Sequence, residues 1–209
     1  MVIAAMELRR LGMANKPMIV VPNHMLEQFC TEWRALYPLA KVLFPSEAEQ
    51  GPEGRKRFVA RAAVGNWDAV VVTESVFERI PLSPRTEAAF IDRQVEQLRH
   101  ASGHFQGEIG RRSRTVKDLE LRVLKLTQRS RELLHRSDKD DGATFEQTGV
   151  DYLFIDEAQH AKNLAITTRM PALGKTGSGY ASQLDIRLDW LRSKYGPKVL
   201  SGLSHFSAP

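Results

Sequence analysis

The acidic pair Asp156-Glu157 is the strongest candidate for chemistry in this sequence. It directly follows an apolar run, residues 152–155, that predicts a buried strand. Carboxylates at the carboxyl end of a parallel strand lie where α/β proteins place their ligands. In a nucleotide site, Asp156 would hold Mg2+, mostly through water, and Glu157 would polarise the water that attacks the γ-phosphate. The alternative is an ordinary helix start, where acidic side chains favour the N-terminal dipole.

The elements that must position this pair alternate between strands and helices. Short apolar runs predict strands at residues 18–22, 41–44, 67–73, 151–156 and 199–200. Apolar residues at helical spacing predict helices at residues 1–12, 24–37, 55–64, 75–79 and 179–195. Asn23 is the expected N-cap of the second helix, Leu36 is expected on its inward face, and residues 51–54 are expected to form a turn. This order predicts an α/β fold, in which a parallel sheet is flanked by helices.

Residues 85–147 break the alternation, because they contain no strand-like run. Apolar residues at helical and heptad-like spacing predict two helices instead, joined by a turn at residues 103–110. The segment is therefore expected to be a helical hairpin inserted into the α/β domain. Residues 137–142 are expected to form a mobile loop that closes the insertion.

The positive charge of the chain is concentrated in this insertion. Residues 111–136 contain nine Lys and Arg but three Asp and Glu, so their net charge of +6 exceeds the +5 of the whole chain. A solvated helical face is one interpretation. The other is an arm that contacts phosphates, with binding that falls steeply as salt rises. The candidate contacts are Arg111, Arg112, Arg114 and Lys117.

Composition excludes several classes of protein. The 209 residues are 42% hydrophobic and 26% charged, which supports a buried core and argues against a disordered chain. No run of about 18 apolar residues is present, so we expect no membrane partner. One cysteine, Cys30, excludes a disulfide scaffold and a cysteine-based zinc site. With no signal peptide visible, the cytoplasm is the expected location.

Three segments, in the expected order, resemble conserved motifs of superfamily 2 helicases. Residues 150–163, VDYLFIDEAQHAKN, resemble motif II, the Walker B box, and the Gln159 and Lys162-Asn163 that follow the acidic pair are similar to the Swi/Snf-like branch. Residues 16–33, KPMIVVPNHMLEQFCTEW, resemble motif Ia, and residues 68–75, DAVVVTES, resemble motif Ib. The resemblance implies a RecA-like lobe of the P-loop NTPase class.

The resemblance also implies roles for individual residues. Asp156, Glu157 and Gln159 would be catalytic, with Asp156 on the Mg2+ of bound ATP. Motifs Ia and Ib touch the phosphate backbone of the tracked strand in this family, so DNA contacts would fall on Pro22, Asn23, Thr73 and Ser75. For each of these four, a plain turn at a strand end is an equal alternative.

More narrowly, the chain resembles helicases of phages and mobile elements that accompany adenine DNA methylases or are fused to them. Residues 173–178 and the helix that includes residues 184–191 carry this likeness. It implies an adenine DNA methylase domain as a possible partner, although the chain has no methylase motif of its own.

The sequence also departs from the family pattern. Family members carry a Gly-rich Walker A loop before a helix like residues 1–11, and this sequence begins just after that point. Gly174-Lys175-Thr176 does not fit the loop, because position 169 is Arg, no strand precedes it and it follows motif II. Residues 207–209 are at best a degenerate motif III. We therefore expect both ends to be cut within motifs, and the second RecA-like lobe to be absent.

These observations predict a fragment of an ATP-dependent DNA helicase or translocase, with little ATPase activity and weak Mg-ATP binding in isolation. Its expected divisions are residues 1–84 and 148–209 for the RecA-like lobe and 85–147 for the insertion. A non-catalytic module that binds DNA or a protein is the alternative, and an AAA-type ATPase is disfavoured by Gln159 and the Lys162-Asn163 pair. A metal enzyme is less expected still, because His100 and His104, on the expected turn, are the only helix-spaced histidine pair. The other histidines are His24, His135, His160 and His205.

Overall fold

A computed structural model of the chain describes residues 1–49, 51–109, 114–136, 143–157 and 179–196. Four strands form one sheet in which every pairing is parallel, in the order β2-β3-β1-β4. The strands are β1 (Pro17–Val21), β2 (Val42–Leu43), β3 (Ala69–Thr73) and β4 (Tyr152–Ile155). These four confirm the predicted α/β fold with a parallel sheet, while the fifth strand expected at residues 199–200 lies outside the described residues.

Seven helices accompany the strands in the described residues. They are α1 (Val2–Arg10), α2 (Leu26–Leu36), α3 (Pro52–Val64), α4 (Glu74–Arg79), α5 (Pro84–Ile109), α6 (Arg114–Arg136) and α7 (Gly179–Tyr195). Gly12 follows α1 with a φ of +69°, a conformation that suits glycine, and it ends the helix as the sequence predicts.

The described residues divide into two compact units. The first contains the sheet, α1 to α4 and α7. Its core is built on β1 and β3, all ten residues of which are buried, as expected for parallel strands covered on both faces. Val2 and Ala5 of α1, and Phe29 and Trp33 of α2, pack into one apolar cluster with these strands.

The second unit contains α5 and α6. Ile91 and Val95 of α5 and Leu119 of α6 are buried, and the Ser130 hydroxyl donates to Asp92 Oδ1 at 2.8 Å. The predicted turn at residues 103–110 is wrong, since α5 continues unbroken to Ile109. His100 and His104 accordingly lie on a helix, not on a turn. An interior glycine costs a helix only about 1 kcal/mol, which packing along a 26-residue helix outweighs.

Three local predictions in the first unit are corrected. Asn23 does not cap α2: it begins a short 3-10 helix, and Met25 is the N-cap, because the Asn23 side chain accepts a hydrogen bond from Ser75 instead. Residues 51–54 are not a turn, since α3 starts at Pro52, where a proline at the first helical position has no N–H to leave unpaired. Leu36 is 53% exposed at the end of α2 and does not face inward.

Glu49 is a buried carboxylate whose hydrogen bonds should make the stability of the fold depend on pH in the acidic range. Its carboxylate accepts hydrogen bonds from the Ser46 N–H and hydroxyl and from Arg61 at 2.6 Å. Burial alone would raise the pKa of Glu49, but these donors outweigh it and hold the pKa below its ordinary value of 4.5. A lowered pKa stabilises the fold above the unfolded value, and that stabilisation is lost as the pH falls through the folded value.

Below about pH 4.5, the free energy of unfolding is therefore expected to fall less steeply with decreasing pH in Glu49→Gln than in the wild type. Urea unfolding at pH 7 and at steps down this range measures the effect. Glu53→Gln, at an exposed position of α3, is the matched control and should keep the wild-type pH dependence. Identical pH dependence for wild type and Glu49→Gln would contradict the account.

Candidate functional site

The carboxyl ends of β1, β3 and β4 lie at the same edge of the sheet. In the parallel register, Val21 pairs with Thr73 and Val20 pairs with Ile155. The Asp156 N–H donates to the Val20 carbonyl at 2.9 Å, which continues the β1–β4 ladder by one residue. Three sequence segments that are far apart in the chain therefore meet at what we call the carboxyl edge.

A hydrogen-bonded chain of side chains joins two of these segments. The Ser75 hydroxyl donates to Asn23 Oδ1 at 2.8 Å, and it lies 3.2 Å from the Thr73 hydroxyl. Thr73 in turn caps α4, accepting from the Val76 N–H at 3.3 Å. Asn23 is exposed and Ser75 is half-buried, so both can reach a ligand, whereas Pro22 and Thr73 are buried and serve as supports.

The acidic pair occupies the end of β4. Asp156 is half-buried and Glu157 is exposed. Glu157 has a φ of +54°, in the left-handed region that few non-glycine residues adopt. Such conformations persist where the surrounding structure imposes them, and they cluster at functional sites. The strand ends at Ile155, and the chain turns at Asp156 and Glu157.

Asp156 and Glu157 are carboxylates that could hold a magnesium ion at the carboxyl edge. Across the described residues, no group of three or more His, Cys, Asp or Glu is arranged to hold a metal ion. Mg2+ is usually bound by one or two carboxylates together with waters and substrate phosphates. Asp156 fits that donor set, and Glu157 adds a second carboxylate beside it.

The other predicted site residues lie outside the described residues or on α6. Gln159, Arg111 and Arg112 lie outside the described residues, as does the Gly-Lys-Thr sequence at 174–176. Arg114 is the first residue of α6, and Lys117 is exposed one turn further along the helix. Both belong to the second unit.

Sequence reasoning missed an anchor at the amino end of β4. The buried carboxylate of Asp151 accepts from the Asn15 N–H at 2.6 Å, the Asn15 amide at 2.9 Å and the Lys16 N–H at 2.9 Å. Lys16 Nζ donates to the carbonyls of Ala62, Gly65 and Thr148. Burial lowers the pKa of Lys16, although the negative charge of Asp151 acts to raise it. These contacts fix β4 beside β1 and so set the position of Asp156.

A second residue that the sequence analysis missed is Arg187, which is fully buried. Its guanidinium lies 4.7 Å from the ring centre of Phe77 and 5.4 Å from that of Phe145, and it donates to the Ile80 carbonyl at the end of α4. The signal was present in the sequence, because Arg187 falls between Leu184 and Leu191 on the apolar face of α7.

Comparison with known proteins identifies the family. A family model described as a probable helicase domain matches residues 1–191, and the chain belongs to this family. No curated protein and no solved structure matches the chain. The family and the parallel α/β sheet together define a helicase-like domain, which agrees with the broader part of the sequence resemblance. None of the helices in the described part of the chain has the length and apolar character needed to span a membrane.

Proposed function

We propose that the chain is a RecA-like lobe of an ATP-dependent DNA translocase of the Swi/Snf-like branch of superfamily 2. One observation carries the proposal: Asn23, Ser75 and Asp156, from segments that resemble motifs Ia, Ib and II, converge at the carboxyl edge. Membership of the helicase-domain family supports it. An AAA-type ATPase would share the acidic pair but would not account for the Asn23–Ser75 pair.

Asp156 and Glu157 would have different roles in ATP hydrolysis. Bound Mg-ATP would supply the phosphoanhydride whose cleavage drives closure and opening between two lobes. Asp156, held by the ladder bond to Val20, would orient the waters around Mg2+. Glu157, exposed beside it, would accept a proton from the attacking water. By resemblance, Gln159 would complete this set.

The second group at the carboxyl edge would contact DNA. Ser75 donates to Asn23 Oδ1, which orients the Asn23 amide so that its N–H groups can donate to a phosphate oxygen. Thr73 fixes the start of α4 behind them. A second RecA-like lobe would complete the ATP site, and an adenine DNA methylase domain is the further partner that we propose on the resemblance alone.

The exposed cations of α6 favour a second candidate, a module that binds DNA without catalysis. Arg114 begins α6, and Lys117, Arg122, Lys125 and Arg129 are exposed along it. A chain in which Asp156 and Glu157 are both replaced by Ala tests this candidate. Retained DNA binding that is lost on charge reversal of Arg111, Arg112 and Arg114 would favour the module.

The Asn23–Ser75 pair gives the sharpest test of the DNA contacts. We expect the double variant Asn23→Ala/Ser75→Ala to bind DNA about tenfold more weakly, because it removes the neutral Asn23 amide that would donate to phosphate and the Ser75 hydroxyl that orients this amide. The loss should be similar at every salt concentration, since neutral groups release no counterions. Fluorescence anisotropy with labelled single-stranded and duplex oligonucleotides, across a salt series, measures both effects.

Asn66→Ala is the matched control, because Asn66 is also an exposed asparagine but precedes β3 at the opposite edge of the sheet. It should bind DNA like the wild type. Lys117→Glu should instead reduce the slope of affinity against salt. Unchanged DNA affinity in the Asn23→Ala/Ser75→Ala variant would contradict the assignment of these residues.

A further inference from the structure

Helix α6 carries two separate seams at heptad spacing. The first faces α5 and consists of buried or half-buried residues, namely Leu119, Val123, Leu126, Ser130 and Leu133. The second has the same alternating spacing of four and three, but its members are exposed: Lys117, Leu121, Leu124, Gln128 and Arg131. A heptad seam is the pattern that a helix presents to another helix.

The second seam borders a groove within the second unit. The groove has a volume of about 570 Å³. Leu121 and Leu124, which are 56% and 66% exposed, form its apolar part together with Val123. Arg99 of α5 and Lys125 and Arg131 of α6 place three positive charges along it, and none of the described residues that line it is a carboxylate. We call this surface the α6 groove.

The three cations are available for a partner. In the part of the chain that the structure describes, no ion pair involves Arg99, Lys125 or Arg131. On the exposed side of α6, Glu132 accepts a hydrogen bond from Gln128 at 3.1 Å. The groove therefore combines exposed leucines with uncompensated positive charge.

We propose that the α6 groove binds an amphipathic α-helix rich in carboxylates on a partner protein. Leu121 and Leu124, one helical turn apart, would pack against the apolar stripe of that helix, and its carboxylates would pair with the three cations. Duplex DNA fits less well, because a phosphate backbone offers no apolar surface to Leu121 and Leu124. A second copy of α6 fits less well too, because it would bring cations against cations.

The proposal goes beyond the proposed function, since it requires neither ATP nor DNA. The probe is a synthetic heptad peptide with Leu at positions a and d and Glu at positions e and g, which repels itself at neutral pH. The control peptide carries Lys at e and g. Fluorescence anisotropy of each labelled peptide with the full chain measures binding, and circular dichroism checks that every variant is folded.

The Glu peptide is expected to bind, and the Lys peptide is not. Leu124→Glu and Arg131→Glu should each weaken binding of the Glu peptide at least tenfold, and Leu121→Gln should weaken it less. Leu39→Glu is the matched control, because Leu39 is 95% exposed in the first unit, and it should leave binding unchanged.

Three results would overturn the proposal. The first is no binding of the Glu peptide, and the second is equal binding by the Leu124→Glu and Leu39→Glu variants. The third is displacement of the peptide by a DNA duplex together with loss of DNA affinity in Leu124→Glu, which would make the groove a nucleic-acid surface. None of these results depends on Asn23, Ser75 or Asp156, so they test the α6 groove and leave the proposed function to its own experiments.

Discussion

Replacing Arg187 with alanine is expected to lower the free energy of unfolding by about 4 kcal/mol, the largest stability effect that we predict for this chain. The side chain is fully buried and donates to the carbonyl and side-chain oxygens of Gln183, each at 2.8 Å, and to the Ile80 carbonyl. Alanine would remove these donors, leave buried acceptors without them and open a cavity between the Phe77 and Phe145 rings.

Two further variants separate the causes of this loss. Arg187→Met keeps most of the volume and removes the charge, so its loss should be smaller, about 2 kcal/mol, because burying the guanidinium itself has a desolvation cost. Arg192→Ala, at an exposed position in the same helix, is the matched control and should change stability by less than about 0.5 kcal/mol.

Urea unfolding followed by circular dichroism and tryptophan fluorescence measures all three variants. Trp190 packs edge-to-face on Phe145, with ring centres 5.8 Å apart, so its fluorescence reports on this cluster. A loss below about 1 kcal/mol in Arg187→Ala would mean that the buried guanidinium contributes no more than an average side chain. That result would contradict its assignment as the link between α7 and the end of α4.

The strands could be predicted from sequence because a strand that is buried on both faces needs apolar residues at every position. Residues 18–21 and 69–72 are continuous apolar runs, and all of them are buried. Their carboxyl ends could also be predicted to meet, since parallel strands end at one edge. Asp156 was a candidate on this ground before its geometry was known, whereas Asn23 and Ser75 were candidates because their segments resemble motifs Ia and Ib.

What could not be predicted was which side chain pairs with which. Asn23 has the right type and position for an N-cap, and only the register of β1 beside β3 brings it to the Ser75 hydroxyl. Likewise, the sequence predicts only that the acidic residue Asp151 is the first residue of a strand. Its role as an anchor depends on Asn15 and Lys16, which are more than 130 residues away in the chain.

The predictions of helix boundaries were wrong at two segments that contain glycine. Gly103 and Gly107 favour a turn, but α5 runs through both. Gly54 also suggests a turn, yet it lies in α3, where a Cβ would overlap the carbonyl oxygen of Ala48. There the glycine permits a close approach of two backbone segments and does not break the helix.

The second large effect is expected at Asp156. A polypeptide of these 209 residues should bind Mg-ATP weakly, with a Kd of about 1 mM, equivalent to about −4 kcal/mol. Asp156→Asn should abolish the Mg2+-dependent part of that affinity, because an amide keeps the size of the side chain but removes the charge that holds the hydrated ion. Micromolar ATP affinity that does not respond to Asp156→Asn would contradict this expectation.

Asp68→Asn is the matched control for this change. Asp68 is also a partly buried aspartate next to a strand, but it lies at the amino end of β3, where it pairs with Arg9 at 2.8 Å. It should leave Mg2+-dependent nucleotide binding unchanged. A parallel loss in both variants would indicate a general effect on folding and not a role in binding.

Nuclear magnetic resonance of the 15N-labelled chain, titrated with Mg-ATP at millimolar concentration, tests the central claim most directly, because it detects weak binding and locates it. We predict shifts in the backbone amide signals of Val21, Asn23 and residues 155–157, and no shifts at Asn15, Lys16 and Asp151. The shifts should disappear in Asp156→Asn and persist in Asp68→Asn. Shifts confined to the amino end of the sheet, or shifts that persist in Asp156→Asn, would contradict a nucleotide site at the carboxyl edge.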